Sequence, residues 1–186
     1  MDLSTLIHQG VLFLHLIAFA IALSAVLRED LAMLFARRID VPRLARTART
    51  LTGALLALWL TGLTLLVFDA GLDPHLWLVS PKSAAKLLVV VALSANGVAL
   101  HTWAFPALRG KGRSRRADDA NVPVILGAIS TASWLCASFI GVSRLIAPAM
   151  TFIDFMVLYA GLTMGAVVAA LLFVRPRLAR LLLTER

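Results

Sequence analysis

Pro81–Arg109, PKSAAKLLVVVALSANGVALHTWAFPALR, is long and apolar enough to cross a bilayer as a helix, yet it carries Lys86, Ser94, Asn96 and His101. At 100° per residue, Lys86, Ser94 and His101 fall within about 80° of arc on one face, and Asn96 lies about 80° off Lys86 on the other side. Insertion into a membrane needs none of these groups. Each polar group in hydrocarbon costs free energy unless it finds a partner. The stripe therefore predicts that something faces it: protein, ligand or ion.

Working outward, the same kind of apolar run recurs. The chain has 186 residues, 60% of them hydrophobic, with a mean hydropathy of +0.89. Five runs stand out at roughly 5–27, 51–68, 84–106, 122–143 and 152–174. Each is long enough for a hydrocarbon core of ~30 Å at ~1.5 Å per residue. The reading is an all-α, polytopic membrane protein, residues 1–186 forming one bundle of five transmembrane helices without an internal repeat. Charge sets the orientation. Loop 28–50, loop 107–121 and the tail carry fifteen of the eighteen basic residues, and only Lys82, Lys86 and Arg144 fall on the other side. That asymmetry predicts an N-terminus outside and a C-terminus in the cytoplasm of a bacterial-type inner membrane. The first run has no Lys or Arg ahead of it and reads as a retained span rather than a cleavable signal.

Several function classes lose their footing here. The net charge of +8 belongs to loops that meet lipid headgroups, so no nucleic-acid partner is expected. The single cysteine, Cys136, lies in an apolar run and permits neither a disulfide framework nor a cysteine-rich metal site. No phosphate-binding glycine loop, G-x-S-x-G, HExxH or CxxC is present, which leaves soluble-type hydrolase and nucleotide chemistry without an anchor.

The ionisable groups within the spans carry the functional expectations. His8 and His15 share a face of the first span, with His15 near mid-membrane. Asn96 lies at a similar depth in the third span, and His101 sits ~7 Å nearer the cytoplasm. Two imidazoles within about two turns of one depth suit haem iron, copper or zinc, or a hydrogen bond between helices. Gly97 either leaves room for a planar ring or permits close helix packing. Trp59 and Trp134 either line such a ring or pack in the core. On the outer side His8, Asp69, Asp73, His75, Lys82, Lys86, Arg144, Met150 and Asp154 form a second cluster. There Asp154 is expected to point into the bundle toward Lys86 or Arg144, helped by close packing at Gly161 and Gly165. A metal-entry site using His8, His75, Met150 or Asp154 is the sharper alternative.

These residues also carry a family resemblance. Leu14-His15-Leu16 with the small-residue run behind it resembles the opening of two related groups. One is the copper-resistance D membrane domain; the other is the small membrane-type protoporphyrinogen IX oxidase of bacteria. Leu60-Thr61-Gly62-Leu63 is similar to their second helix. Ala85-Lys86-Leu87, Asn96 and Pro106-Ala107-Leu108 resemble the AKL…N…P-x-L pattern of the copper-resistance group. The resemblance covers about residues 10–109. The chain departs from it where Ala18–Ala25 replaces a Trp- and Gly-containing stretch, and where Asn96-Gly97 stands near the oxidase's third-span histidine. The resemblance implies a helical bundle with His15 and Lys86 at functional positions, b-type haem, and electron transfer from a porphyrin substrate.

Three functions are therefore carried forward. The first is a haem-binding, redox-active membrane protein, an oxidoreductase if it is an enzyme. His15 and His101 are its iron-ligand candidates, Asn96 and Arg144 further cofactor contacts, and Lys86 the catalytic or propionate-binding group at the outer side. A porphyrin or quinone-type molecule is its expected partner. The second is copper or other metal-ion handling across the membrane, in which His8, His75, Met150 and Asp154 matter more than His101; His8, His15 and His101 are the metal-ligand candidates. The third is a non-catalytic accessory subunit, in a homo-oligomer or larger membrane complex, whose polar stripe docks on a neighbour.

Overall fold

The computed structural model describes residues 2–35, 40–109 and 117–184, and every regular element among them is helical. The principal helices are α1 (Leu3–Phe35), α2 (Val41–Ala70), the short α3 (Pro74–Val79), α4 (Pro81–Ala99), α5 (Phe105–Arg109), α6 (Asn121–Val142), α7 (Phe152–Phe173) and α8 (Arg175–Thr184). Five stretches are long and apolar enough to cross a membrane: Leu3–Phe35, Pro42–Ala70, Pro81–Leu108, Asp118–Val142 and Phe152–Phe173. The chain is a multi-pass helical membrane protein, with exposed apolar side chains such as Phe13, Leu60, Val157 and Leu172 where lipid would lie.

The first two helices outrun the apolar runs that announce them. At ~1.5 Å per residue α1 is about 50 Å long, against ~30 Å of hydrocarbon. Arg28, Glu29 and Asp30 do not end it: all three tolerate helix, and the two acids find partners on α2 and α6. Leu31, Leu34 and Phe35 continue it, as their spacing predicts, while residues 36–39 lie outside the described part. Asp40 then caps α2, its side chain accepting from the Arg43 N–H at 2.9 Å, with Pro42 in the first turn where its missing N–H is harmless.

The two long helices form an antiparallel hairpin. Ala18, Ala22, Ala25 and Val26 are buried on α1, and such small side chains let the partner backbone come close. Polar contacts link the pair at three levels: hydrogen bonds of Glu29 with Thr47 at 3.0 Å and of His15 with Thr61 at 2.7 Å, and a close approach of His8 Nε2 to Asp69 at 3.2 Å. Gly71 ends α2 at a φ of 74°, a conformation that suits a residue without Cβ.

The rest of the bundle is built on α6. It packs on α4 through Ala85, Val89, Cys136 and Ile140, and Phe155 of α7 closes that layer. Ser133 and Tyr159 join α6 to α7 at 2.9 Å. Trp134 inserts between α1, α2 and α4, beside Ala22, Leu58 and Leu93. At the end where the arginines gather, α8 folds back so that Leu178, Ala179 and Leu182 cover Leu44, Leu108 and Val124.

Ala22 has no exposed surface. Ala22→Leu should cost about 1–3 kcal/mol by overpacking the hairpin. The check is a lower melting temperature in detergent, against little change for the lipid-facing Ala20→Leu.

Candidate functional site

A cavity of about 530 Å³ opens among the five spans in the half of the bundle nearest the basic loops. That is the size of a small-molecule site. Its walls are apolar, with Leu51, Leu55, Leu93, Phe105, Ala128 and Trp134, and its polar groups are Glu29, Asp30, Thr47, Ser130, Thr131, Thr52 and His101. Among the described residues no lysine or arginine lines it, in a chain whose net charge is +8.

Pro106 sets the direction of His101. Proline lacks the N–H that would bond Thr102 O, and its ring collides with that carbonyl in a regular helix. The chain accommodates it by widening to a π turn at Leu100–Ala104, the Phe105 N–H bonding Leu100 O. Such one-turn insertions recur at functional sites. His101 stands in this turn, its Nδ1 2.8 Å from Gly97 O, its ring edge-to-face with Phe105 at 5.1 Å. A carbonyl only accepts, so Nδ1 carries a proton, and in the neutral ring Nε2 presents a lone pair. This is the tautomer that a metal-ligating or proton-accepting imidazole uses. Gly97 has open space where a Cβ would stand and lines the cavity. Of the two readings of that glycine, room beside the cavity is the one seen.

Two carboxylates face the same space. Asp30 accepts from Thr131 Oγ1 at 2.6 Å, and Thr131 lies about 15 Å along α6 by helical rise. Glu29 accepts from Thr47 Oγ1 at 3.0 Å and pairs with Arg43 Nε at 3.4 Å. Neither acid is anticipated by the sequence reading, which places Arg28–Asp30 in a cytoplasmic loop. The signal that finds them is periodic: Asp30 follows Ala18, Ala22 and Val26 at steps of four, and Glu29 follows Ala25 in the same way. They prolong the buried face of α1.

His15 is elsewhere. Thr61 donates its one hydroxyl proton to Ala57 O at 2.6 Å, so His15 Nδ1 donates to Thr61 Oγ1. The imidazole is thereby turned onto α2, with its Cε1 3.4 Å from where a Gly62 Cβ would stand. His15 does not line the cavity with His101, so the expected pair of facing imidazoles is not assembled. The reason is local: Thr61 is nearer than the third span and satisfies the ring. Asn96 is buried and donates to Leu126 O of α6 at 3.0 Å. It acts as a bond between helices and does not line the cavity. The stripe's middle member, Ser94, accepts from Trp59 Nε1 at 3.0 Å, so the stripe faces α2. Trp134, not Trp59, lines the cavity.

The remaining candidates lie at the opposite end. His8 meets Asp69 and stacks edge-on against Phe68. Among the described residues no three His, Cys, Asp or Glu side chains converge as a metal site. Asp154 does not turn into the bundle: it closes a capping box with Thr151, accepting from its N–H at 2.7 Å and its hydroxyl at 2.8 Å. Gly161 and Gly165 have open space at their Cβ positions, so among the described residues no helix packs closely on them. Lys86 and Arg144 are exposed. Lys86 stands fifteen residues before His101, about 22 Å along the axis. That is farther than one porphyrin reaches from its iron to its propionates, so the two residues do not share a haem.

No family model, curated protein or solved structure matches the chain in comparison.

Thr131→Val keeps the shape of α6 but removes the hydroxyl from Asp30. It should destabilise the protein by about 1–3 kcal/mol, because a carboxylate is left short of a donor in an apolar cavity. Thr64→Val, whose hydroxyl only bonds its own helix at Leu60 O, is the control and should change the unfolding midpoint little.

Proposed function

We propose that this protein sits in a bacterial-type cytoplasmic membrane with its basic loops and C-terminus inside, and that it binds a flat redox ring in the cavity and takes part in electron transfer. The observation that carries the reading is His101: an imidazole held by Gly97 O, with Nε2 unpartnered among the described residues, on the wall of an apolar cavity of ligand size. The resemblance of residues 10–109 to haem-associated membrane families supports b-type haem as the first ligand to test.

The donor set fits haem in one respect. His101 would hold the iron, with Trp134 and Phe105 among the apolar groups that would line the site. Bound there, the iron would supply one-electron transfer. The chain's own residues orient the imidazole through Gly97 O, exclude water with Leu51, Leu55 and Leu93, and keep two carboxylates near the basic end. His15 and Lys86 fall outside this arrangement. A second reading is favoured by those carboxylates. With Glu29 paired to Arg43 and Asp30 held by the Thr131 hydroxyl on the wall, the acids are not fully offset, and a neutral quinone-type ring meets less repulsion than a porphyrin with two propionates. His101 and Asp30 would then exchange protons with its oxygens.

Detergent-purified protein, expressed with haem supplied, decides between these. Haem binding predicts a Soret band that is lost in His101→Ala and kept in His15→Ala. Absence of the band in the unmodified protein sinks the haem reading. A quinone in the organic extract of that protein, depleted in His101→Ala, would then support the second.

A further inference from the structure

The charge asymmetry leaves three basic residues, Lys82, Lys86 and Arg144, at the end away from the basic loops. Nothing in the cavity uses them, and the fold brings all three together. Lys82 and Lys86 are one turn apart on the first part of α4, and Lys82 Nζ reaches Gly141 O at the end of α6 at 3.5 Å. Arg144 follows that helix end directly, within Coulombic range of both lysines. Three like charges from two separate elements repel one another, and only a counter-charge makes the arrangement favourable.

The protein supplies little of it. Asp69 is in range of Lys86, but it is 68% exposed and already faces His8. Asp73 accepts from the His75 N–H at 2.9 Å and caps α3, and Asp154 caps α7. Each of these carboxylates is engaged locally. The cluster also runs inward from the end of α4, since Lys86 lies ~6 Å deeper than Lys82. It is a cluster of positive charge at the end of the bundle, and Arg144 adds a fork that matches two oxygens of one anion.

We infer that Lys82, Lys86 and Arg144 form a binding site for a phosphate group at the end of the bundle opposite the cavity. The phosphate is either the headgroup of an anionic lipid or a free phosphate ion. This inference does not rest on the redox reading, and the experiment leaves the cavity untouched.

The test uses the full chain in nanodiscs. In discs of neutral phosphatidylcholine doped with phosphatidylglycerol, native mass spectrometry should count retained phosphatidylglycerol on the unmodified protein. Lys86→Gln combined with Arg144→Gln should lower that retention about tenfold, and Lys86→Arg should restore most of it. In purely neutral discs, binding of inorganic phosphate followed by ³¹P line broadening, lost in the same double variant, identifies the free ion as the source. Either result supports the site. Two results overturn it: no variant-sensitive binding in either arm, or an equal loss in Arg46→Gln at the basic end, which would mean that general charge alone is read. Unchanged size-exclusion profiles and melting temperatures separate lost binding from lost fold.

Discussion

The structure depends on how closely α2 approaches α1. Ala18, Ala22 and Ala25 present almost no side chain to the partner, and in lipid it is this closeness, not expulsion from water, that holds helices together. Once the backbones are near, polar groups placed along the two helices come within hydrogen-bonding distance at three levels. The same closeness explains what happens to His15. A histidine on a loosely packed span would need a cofactor or a distant helix, whereas here Thr61 is already within 2.7 Å. The hairpin thus settles one candidate ligand before the remaining spans are considered.

What α1 and α2 do by approach, α4 does by irregularity. A regular helix from Pro81 onward would place Pro106 against Thr102 O, and the widened turn at Leu100–Ala104 removes that conflict. The cost is one irregular turn in the membrane, tolerable because the freed backbone groups are bonded again and because the turn borders a cavity. The gain is an imidazole with one nitrogen fixed on Gly97 O. Opposite it, Thr131 and Thr47 satisfy the two acids of α1 from α6 and α2. Each ionisable group on the cavity wall therefore has a partner on a different helix or an earlier turn, so the cavity's chemistry and the bundle's cohesion use the same bonds.

Much of this was legible in the residues. Five apolar runs and the sidedness of the basic loops foretold five helices, and Asn96, placed off the stripe, did find a different neighbour in α6. The widened turn before Pro106 was not anticipated, since a proline near the end of an apolar run does not say where the neighbouring side chain will point. The facing of His15 and His101 was not legible either: helical phase gives a direction around one axis, and the choice between Thr61 and a third-span partner depends on helix order. The two acids were missed for a simpler reason. Charge next to an apolar run was read as the end of the span, although the step of four from Ala18 through Val26 runs straight into Asp30.

The distribution of charge has a consequence for how the molecule is divided. Arginines on α2 and α8 crowd one end, yet the cavity nearest that end is lined by acids. The opposite end is poor in basic residues, yet the three that it has are gathered in one place. Topology alone would produce neither pattern, since a sidedness signal needs basic loops and is indifferent to which side chains turn inward. Placing Glu29 and Asp30 inside requires Thr47, Thr131 and Arg43 to offset their desolvation. Gathering Lys82, Lys86 and Arg144 costs repulsion that a scattered arrangement avoids. A scattered placement of the same residues would need neither expense, so the two ends carry separate electrostatic arrangements held apart by the length of α4.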